Sequence, residues 1–315
     1  MTGRLTRPLQ GIIPPLITPL AGPDQLDVPG LERLIEHVIA GGVHGLFVLG
    51  TTGEGPNLGY RLRRELVQRV GRQVGGRLPV LVGITDTSLV EALAMARHAA
   101  ASGACAVVTS APYYYPSSQS ELCRFVERLV LELPLPLFLY NMPAMTKTWF
   151  APDTLRRLAQ IEGIAGIKDS SGDLAYFRQV LEVARDRPDW RVFMGPEHLL
   201  VEALRLGAHG GVNGGALVEP GLLVGLYEAA LRRDEARTAA LQSRLLRLGA
   251  IFEVDPHPSA VVKGLKCALS LLGLCSDLPA EPLTPFGGAE REKVRATLSD
   301  LGLLKPGAAM ASPAR

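Results

Sequence analysis

The sequence predicts a closed (β/α)8 barrel, a TIM barrel, with a C-terminal helical extension. Three observations point there. Eight short apolar or β-rich runs recur along the chain, and helical patterns separate them. The runs lack polar alternation, which suits parallel strands covered on both faces. Helix ends repeat a glycine-containing turn directly before a strand, and eight units joined by repeated turns favour closure over an open sheet.

The expected strands fall at 12–18, 45–49, 80–84, 106–109, 137–140, 164–168, 191–194 and 210–212. Between them Leu31/Leu34/Ile35/Val38, Leu89/Leu93/Ala96, Leu122/Phe125/Val126/Leu129 and Phe177/Val180/Leu181/Ala184 show the i, i+3, i+4 spacing of a helix with one buried face. Gly42, Gly103, Gly163 and Gly207 fit helix C′ positions, where a left-handed backbone favours glycine. The barrel is assigned to residues 1–220. A purely helical pattern at 222–231, 236–248, 261–272 and 290–301 forms the extension over 221–304, and the Pro, Ala, Gly and Ser rich stretch 305–315 is expected to be a disordered tail.

Composition narrows the function. Of 315 residues, 47% are apolar and 20% charged, enough for a large core, and the formal net charge of +2 comes from balanced acids and bases. That balance argues against a nucleic-acid surface and for a small partner. Arg61, Arg63, Arg64, Arg69 and Arg72 interleave with Leu62, Leu66, Val70 and Val74 at helical spacing, as a solvated helix face would. Cys105, Cys123, Cys267 and Cys275 form no Cys-x-x-Cys pair and read as buried thiols in a reducing compartment. Arg4 and Arg7 precede no signal-peptide core, because Pro14, Pro15 and Pro19 interrupt the early apolar stretch, and no run approaches the ~18 residues of a membrane span. A cytoplasmic protein is expected.

Chemistry in such a barrel sits where the C-terminal strand ends converge. The sixth run ends in Lys168, followed by Asp169-Ser170-Ser171-Gly172. An ammonium among apolar neighbours is costly, so the position favours the neutral amine, a nucleophile toward carbonyl compounds. Snorkelling to water or pairing with Asp169 is the bland alternative. The second run ends in Gly50-Thr51-Thr52-Gly53-Glu54-Gly55, the fourth in Pro112-Tyr113-Tyr114-Tyr115 and the fifth in Tyr140-Asn141-Met142-Pro143. Backbone amides freed by Gly50 and Gly53, with the Thr51 and Thr52 hydroxyls, suit a small carboxylate. The loop lacks the Gly-Lys-Ser/Thr ending of a phosphate loop and the spacing of a dinucleotide fingerprint. A tight turn with Glu54 capping the next helix is the structural alternative. His37 and His98 fall on helices and His44 and His209 at turns on the far face, leaving His198 and His257, too few for a convergent metal site. No metal and no cofactor are expected.

Together Gly11-Ile12-Ile13-Pro14-Pro15-Leu16-Ile17-Thr18-Pro19, Gly50-Thr51-Thr52-Gly53-Glu54, Pro112-Tyr113-Tyr114, Tyr140-Asn141-Met142-Pro143 and Gly166-Ile167-Lys168-Asp169-Ser170-Ser171-Gly172 cover nearly the whole chain. In this order and spacing the chain resembles the dihydrodipicolinate synthase and N-acetylneuraminate lyase family, the pyruvate-dependent class I aldolases. The resemblance implies that Lys168 forms a Schiff base with pyruvate or another 2-keto acid, that Thr51 and Thr52 grip its carboxylate, and that Tyr140, bonded to Thr51, relays protons. It also implies that a neighbouring subunit inserts Tyr114, that the carbonyl of Val212 faces the lysine, and that the protein is a homotetramer, a dimer of dimers.

The likeness has limits. Where dihydrodipicolinate synthases carry a carboxylate-binding arginine this chain has Met145, and a thioether cannot replace a guanidinium; Lys147 nearby could supply a charge. The seventh run ends in Gly195-Pro196-Glu197-His198, where the lyases use acidic residues on sugar hydroxyls, and Glu197 with Asn213 suggests a polar second substrate. The reading is a Schiff-base lyase or aldolase joining or cleaving pyruvate and an aldehyde. The alternatives are 4-hydroxy-tetrahydrodipicolinate synthase of lysine biosynthesis, acting on pyruvate and aspartate semialdehyde, a 2-keto sugar acid dehydratase or aldolase, and a non-catalytic keto-acid-binding barrel.

Overall fold

A computed structural model describes residues 8–304; the expectations for Arg4, Arg7 and the 305–315 tail lie outside the described residues. The barrel strands are β1 (Gly11–Ile12), β2 (Leu46–Val48), β3 (Val80–Gly83), β4 (Ala106–Ser110), β5 (Leu137–Asn141), β6 (Ile164–Asp169), β7 (Arg191–Met194) and β8 (Gly210–Gly211). From β2 to β8 each strand pairs in parallel with its sequence neighbours, and β8 pairs in parallel with β1. The seam between β1 and β2 closes just beyond β1. Leu16 N donates to the Phe47 carbonyl at 2.7 Å, Phe47 N donates to the Pro14 carbonyl at 3.0 Å, and Pro15 bridges Phe47. The first strand is shorter than the expected 12–18, because Pro14 and Pro15 have no N–H to give a ladder. A small antiparallel pair, Leu20–Gly22 with Gln25–Leu26, follows it and was not anticipated, since so few residues carry no periodicity.

Around the sheet lie α1 (Val28–Ala40), α2 (Tyr60–Val74), α3 (Leu89–Ala101), α4 (Gln119–Glu132), α5 (Pro152–Ala159), α6 (Leu174–Arg185), α7 (Leu200–Leu206) and α8 (Pro220–Leu231), the last packing on β1 and α7. Then come α9 (Glu235–Leu248), α10 (Ala260–Leu271) and α11 (Gly288–Asp300), which with most of α8 occupy the stretch 221–304 expected as the helical extension. Helix starts are set by side chains: Asp27, Ser88 and Asp173 each accept a first-turn N–H, and Ser118 with Glu121 forms a capping box. Leu31, Leu34, Ile35 and Val38 are buried as their spacing predicts, each contributing on the order of 2 kcal/mol relative to exposure.

Side chains alternate across each strand into two cores. Ile13, Phe47, Leu81, Val108, Phe138, Tyr140, Phe193 and Val212 fill the barrel, while the opposite faces join the helices in the larger outer core. This double burial is why the strand runs lack polar alternation. At Gly166 an added Cβ would stand 2.0 Å from the Arg191 carbonyl oxygen, so β6 meets β7 at this distance only with glycine.

Gly42, Gly103 and Gly207 take the left-handed conformation expected at helix ends, with φ of 80°, 85° and 109°. Gly163 is also left-handed but lies beyond an extra turn in which Ile161 N donates to the Leu158 carbonyl. Two of these turns carry a histidine that ties the strand starts: Nδ1 of His44 accepts from Ile12 N and Nδ1 of His209 from Val192 N, each at 3.1 Å.

Arg63 corrects the solvated-face reading of the arginine cluster. It is buried, donates from Nε to the Leu58 carbonyl at 2.8 Å and pairs with buried Asp86 at 3.2 Å. A paired carboxylate at the end of β3 is what allows the guanidinium inside; Arg61, Arg64, Arg69 and Arg72 remain exposed. The four cysteines are free, three of them buried and Cys105 only half-buried. No helix among the described residues is long and apolar enough to cross a membrane.

Candidate active site

Parallel register brings the amine and the phenol together. Tyr140 on β5 is the Cα partner of Lys168 on β6, and Ser110 on β4 is the partner of Tyr140. Partners on neighbouring strands point to the same face, so both side chains enter the barrel mouth. Lys168 is 7% exposed, with Nζ 4.2 Å from the Tyr140 ring centre and 5.4 Å from that of Phe47.

One residue further along each strand the side chains point outward. Asn141 Nδ2 donates to Asp169 Oδ1 at 2.8 Å, Asn141 Oδ1 accepts from Phe150 N, and Asp169 also accepts from the Ser171 N–H and hydroxyl. Asp169 therefore locks the strand ends and leaves the lysine free of that carboxylate. Burial raises the Asp169 carboxyl, opposed by the bonds from Asn141 and Ser171.

The Gly50–Gly55 loop closes one side of the mouth, with Thr51 and Thr52 half-buried. Thr51 Oγ1 stands 3.3 Å from the Tyr140 phenol oxygen. Leu49 and Glu54 flank the loop in the left-handed conformation, Glu54 N donates to the Thr51 carbonyl at 3.0 Å, and the Thr18 hydroxyl donates to the Gly53 carbonyl at 2.7 Å. Side chains at Gly50 or Gly53 would collide with the Phe47 ring at 2.5 Å or the Leu16 carbonyl at 2.8 Å. Glu54 makes no cap to the turn it precedes, contrary to the structural alternative; it turns into the protein, accepts from Ala280 N and pairs with Lys266.

Burial alone would push the Tyr140 phenol up. The Lys168 ammonium beside it, then hydrogen bonds with Thr51, Ser170 and Lys168, outweigh that penalty and hold it below its ordinary value. The phenol can thus give up and take back a proton more readily than free tyrosine.

The other candidate residues divide. Val212 lines the barrel interior and its N–H donates to the Met194 carbonyl. Gly195 N donates to the Asp169 carbonyl at 2.7 Å, and a Cβ there would stand 2.0 Å from Ser170 Oγ. Glu197 Oε2 accepts from Gly215 N at 2.7 Å while Oε1 is sealed from solvent, and burial pushes this carboxyl up to about 7. Asn213 is fully buried; its Nδ2 donates to the Met194 and Gly195 carbonyls and ties the ends of β7 and β8, while its Oδ1 has no hydrogen-bond partner. Tyr114 is 84% exposed at φ 80°, its ring edge-on to Tyr115, and is not gathered with Lys168 in this chain. Met145 is exposed, and the Lys147 ammonium donates to the Ala144 carbonyl at 2.8 Å within its own turn.

Sequence reading missed Lys266 and the outward Asn141–Asp169 lock. For Lys266 a signal existed: it falls one turn after Val262, on the apolar face that Val262, Leu265 and Leu269 define on α10.

These mouth residues fall within a match to the dihydrodipicolinate synthetase family that spans residues 8–301. The chain is 35% identical over 295 residues to a 4-hydroxy-tetrahydrodipicolinate synthase of Phenylobacterium zucineum, covering 94% of this chain and 98% of that one. It is 33% identical over 298 residues to a probable 2-dehydro-3-deoxy-D-pentonate aldolase of Escherichia coli, covering 93% and 98%. The solved dihydrodipicolinate synthase of Bacteroides thetaiotaomicron superposes with a TM-score of 0.90 at 52% identity, over 93% of this chain and 99% of that one. With the barrel and full-length matches in agreement, the chain belongs to the dihydrodipicolinate synthetase family and is an enzyme of its lyase and aldolase class.

Proposed function

We propose that the protein joins or cleaves pyruvate and an aldehyde through an imine on Lys168. The observation that carries this reading is the buried amine of Lys168 beside Tyr140, whose phenol reaches Thr51. Once the Lys168 ammonium has passed a proton to the Tyr140 phenolate, the amine attacks the keto carbon, and loss of water leaves an iminium. Its positive nitrogen withdraws electrons, so the methyl carbon can lose a proton and become an enamine without a metal. The enamine carbon adds to the aldehyde carbon while the aldehyde oxygen takes a proton, and water then releases a 4-hydroxy-2-keto acid and restores the amine. Cleavage runs the same steps backwards.

Tyr140, with its lowered phenol, is assigned the proton transfers, and Thr51 and Thr52 with the loop amides are assigned the keto-acid carboxylate. For the second substrate Met145 offers no guanidinium, and Lys147 is engaged with Ala144. Glu197, just past the end of β7, keeps Oε1 without a hydrogen-bond partner but sealed from solvent, so its contact with a substrate hydroxyl requires the side chain to turn toward the mouth. This combination favours a hydroxylated aldehyde over one bearing a carboxylate, in line with the similarity to a pentonate aldolase. Synthesis from aspartate semialdehyde is the second reading, favoured by the similarity to named synthases. Tyr114, exposed at a left-handed backbone position, is assigned to the site of a second copy in a homotetramer, and the free thiols suit a reducing cytoplasm.

Incubation with pyruvate and borohydride, followed by peptide mapping, should place a reduced pyruvyl adduct on Lys168 and none in Lys168→Ala. A folded wild-type protein that remains unlabelled would sink the reading and leave a keto-acid-binding barrel.

A further inference from the structure

Lys266 belongs to the extension, yet its ammonium lies under the barrel mouth. It is fully buried on α10 and donates to the Thr18 carbonyl at 2.8 Å and the Leu278 carbonyl at 2.7 Å, while pairing with Glu54 at 2.5 Å. Two of its protons go to backbone carbonyls, and the Glu54 carboxylate faces it as an ion-pair partner. Two of these partners lead to the end of the substrate loop, at the consecutive residues Gly53 and Glu54. Glu54 is the left-handed residue that ends the Thr51-Thr52 turn and whose N–H donates to the Thr51 carbonyl. Thr18 holds the residue before it, its hydroxyl donating to the Gly53 carbonyl at 2.7 Å. The second Glu54 oxygen accepts from Ala280 N, also beyond the barrel.

We propose that Lys266 is a positioning residue for the reaction: through Glu54 and Thr18 it makes docking of the C-terminal extension set the place of the Thr51 and Thr52 hydroxyls, and hence the Thr51–Tyr140 contact. The assignment of those hydroxyls to a keto-acid carboxylate rests on the function proposed above. Burying an ion pair is a poor way to gain stability, since apolar residues of similar volume often do as well, whereas a charged pair fixes one geometry. The need for fixing is local. Leu49 and Glu54 occupy left-handed conformations that non-glycine residues hold only when their surroundings impose them.

The test uses the full chain with Glu54→Gln, which keeps the side-chain shape, and Lys266→Met, which removes the charge. Both are studied at temperatures well below their melting transitions. Two readouts are taken: borohydride trapping of pyruvate on Lys168 as a function of pyruvate concentration, and ultraviolet titration of the Tyr140 phenol, isolated by difference against the same backgrounds carrying Tyr140→Phe. If Lys266 positions the loop, folded variants need roughly tenfold more pyruvate for half-saturation, the loss of about one charge-assisted contact, and trapping at saturation is retained. The phenol should also titrate higher, because the Thr51 bond that helps lower it is weakened.

Variants that melt earlier but keep both readouts would reduce the pair to a structural element and overturn the proposal, as would failure of both variants to fold. If wild-type protein traps no pyruvate, the keto-acid reading fails by itself, while the Tyr140 titration still decides whether Lys266 positions Thr51.

Discussion

Tyr140 and Lys168 are register partners on adjacent parallel strands, and this pairing puts a lowered phenol and a buried amine at the same height in the barrel. Because strand geometry fixes the pair, the phenol oxygen can be removed without moving the ring. Tyr140→Phe keeps the aromatic face beside Lys168 and the edge-on packing with Phe47, while deleting the contact with Thr51. Turnover and the rate of imine formation should fall roughly 10²–10³-fold, the usual scale of a lost acid/base group, with little change in melting temperature. Stopped-flow trapping of the imine checks this; a loss below about fivefold would assign the proton transfers to another group.

Most of the barrel was legible in the sequence because its strands are covered on both faces and its helices on one, patterns that leave different apolar periods. Lys168, Tyr140 and the Thr51-Thr52 loop were legible because each ends such a run. What escaped notice depends on contacts distant in sequence. Arg63 reads as one more surface arginine until Asp86 is seen beside it, and Glu54 reads as a helix cap until Lys266 reaches it from the extension. The place of Asn213 after β8 is legible, but which way its amide turns is set by the neighbouring strand, where the Met194 and Gly195 carbonyls accept from Nδ2 and Oδ1 is left without a partner.

Met145 supplies a test of the second substrate. It is 44% exposed on the short turn Pro143–Thr146, so an arginine there can be accommodated without disturbing the core. Met145→Arg should lower the KM for aspartate semialdehyde roughly tenfold, the value of a partly exposed guanidinium–carboxylate contact, and leave that for an uncharged hydroxylated aldehyde unchanged. Steady-state kinetics with both aldehydes decides. Equal effects on the two would mean that position 145 does not face the substituent distinguishing them.

Glu197 ties the same question to pH. Burial pushes its carboxyl up to about 7, opposed only by the Gly215 N–H. A carboxyl raised on folding makes the native state hold a proton that the unfolded chain has lost, so this group's contribution is greatest in acid and declines as pH rises from about 4.5 through 7. The decline amounts to roughly 2 kcal/mol once partial exposure of the residue is allowed for. Glu197→Gln holds the neutral shape at every pH. Its urea midpoint should therefore match wild type below pH 4.5 and exceed it near pH 8, and the difference between the two curves should grow from about pH 4.5 and level off above about 7. The same substitution should abolish any change in hydroxylated-aldehyde KM between pH 6 and 8. Identical stability curves for the two proteins would show that Glu197 ionises at an ordinary carboxylate value and reaches water in solution, and with that the case for it as a neutral hydrogen-bonding group at the second-substrate site would fall.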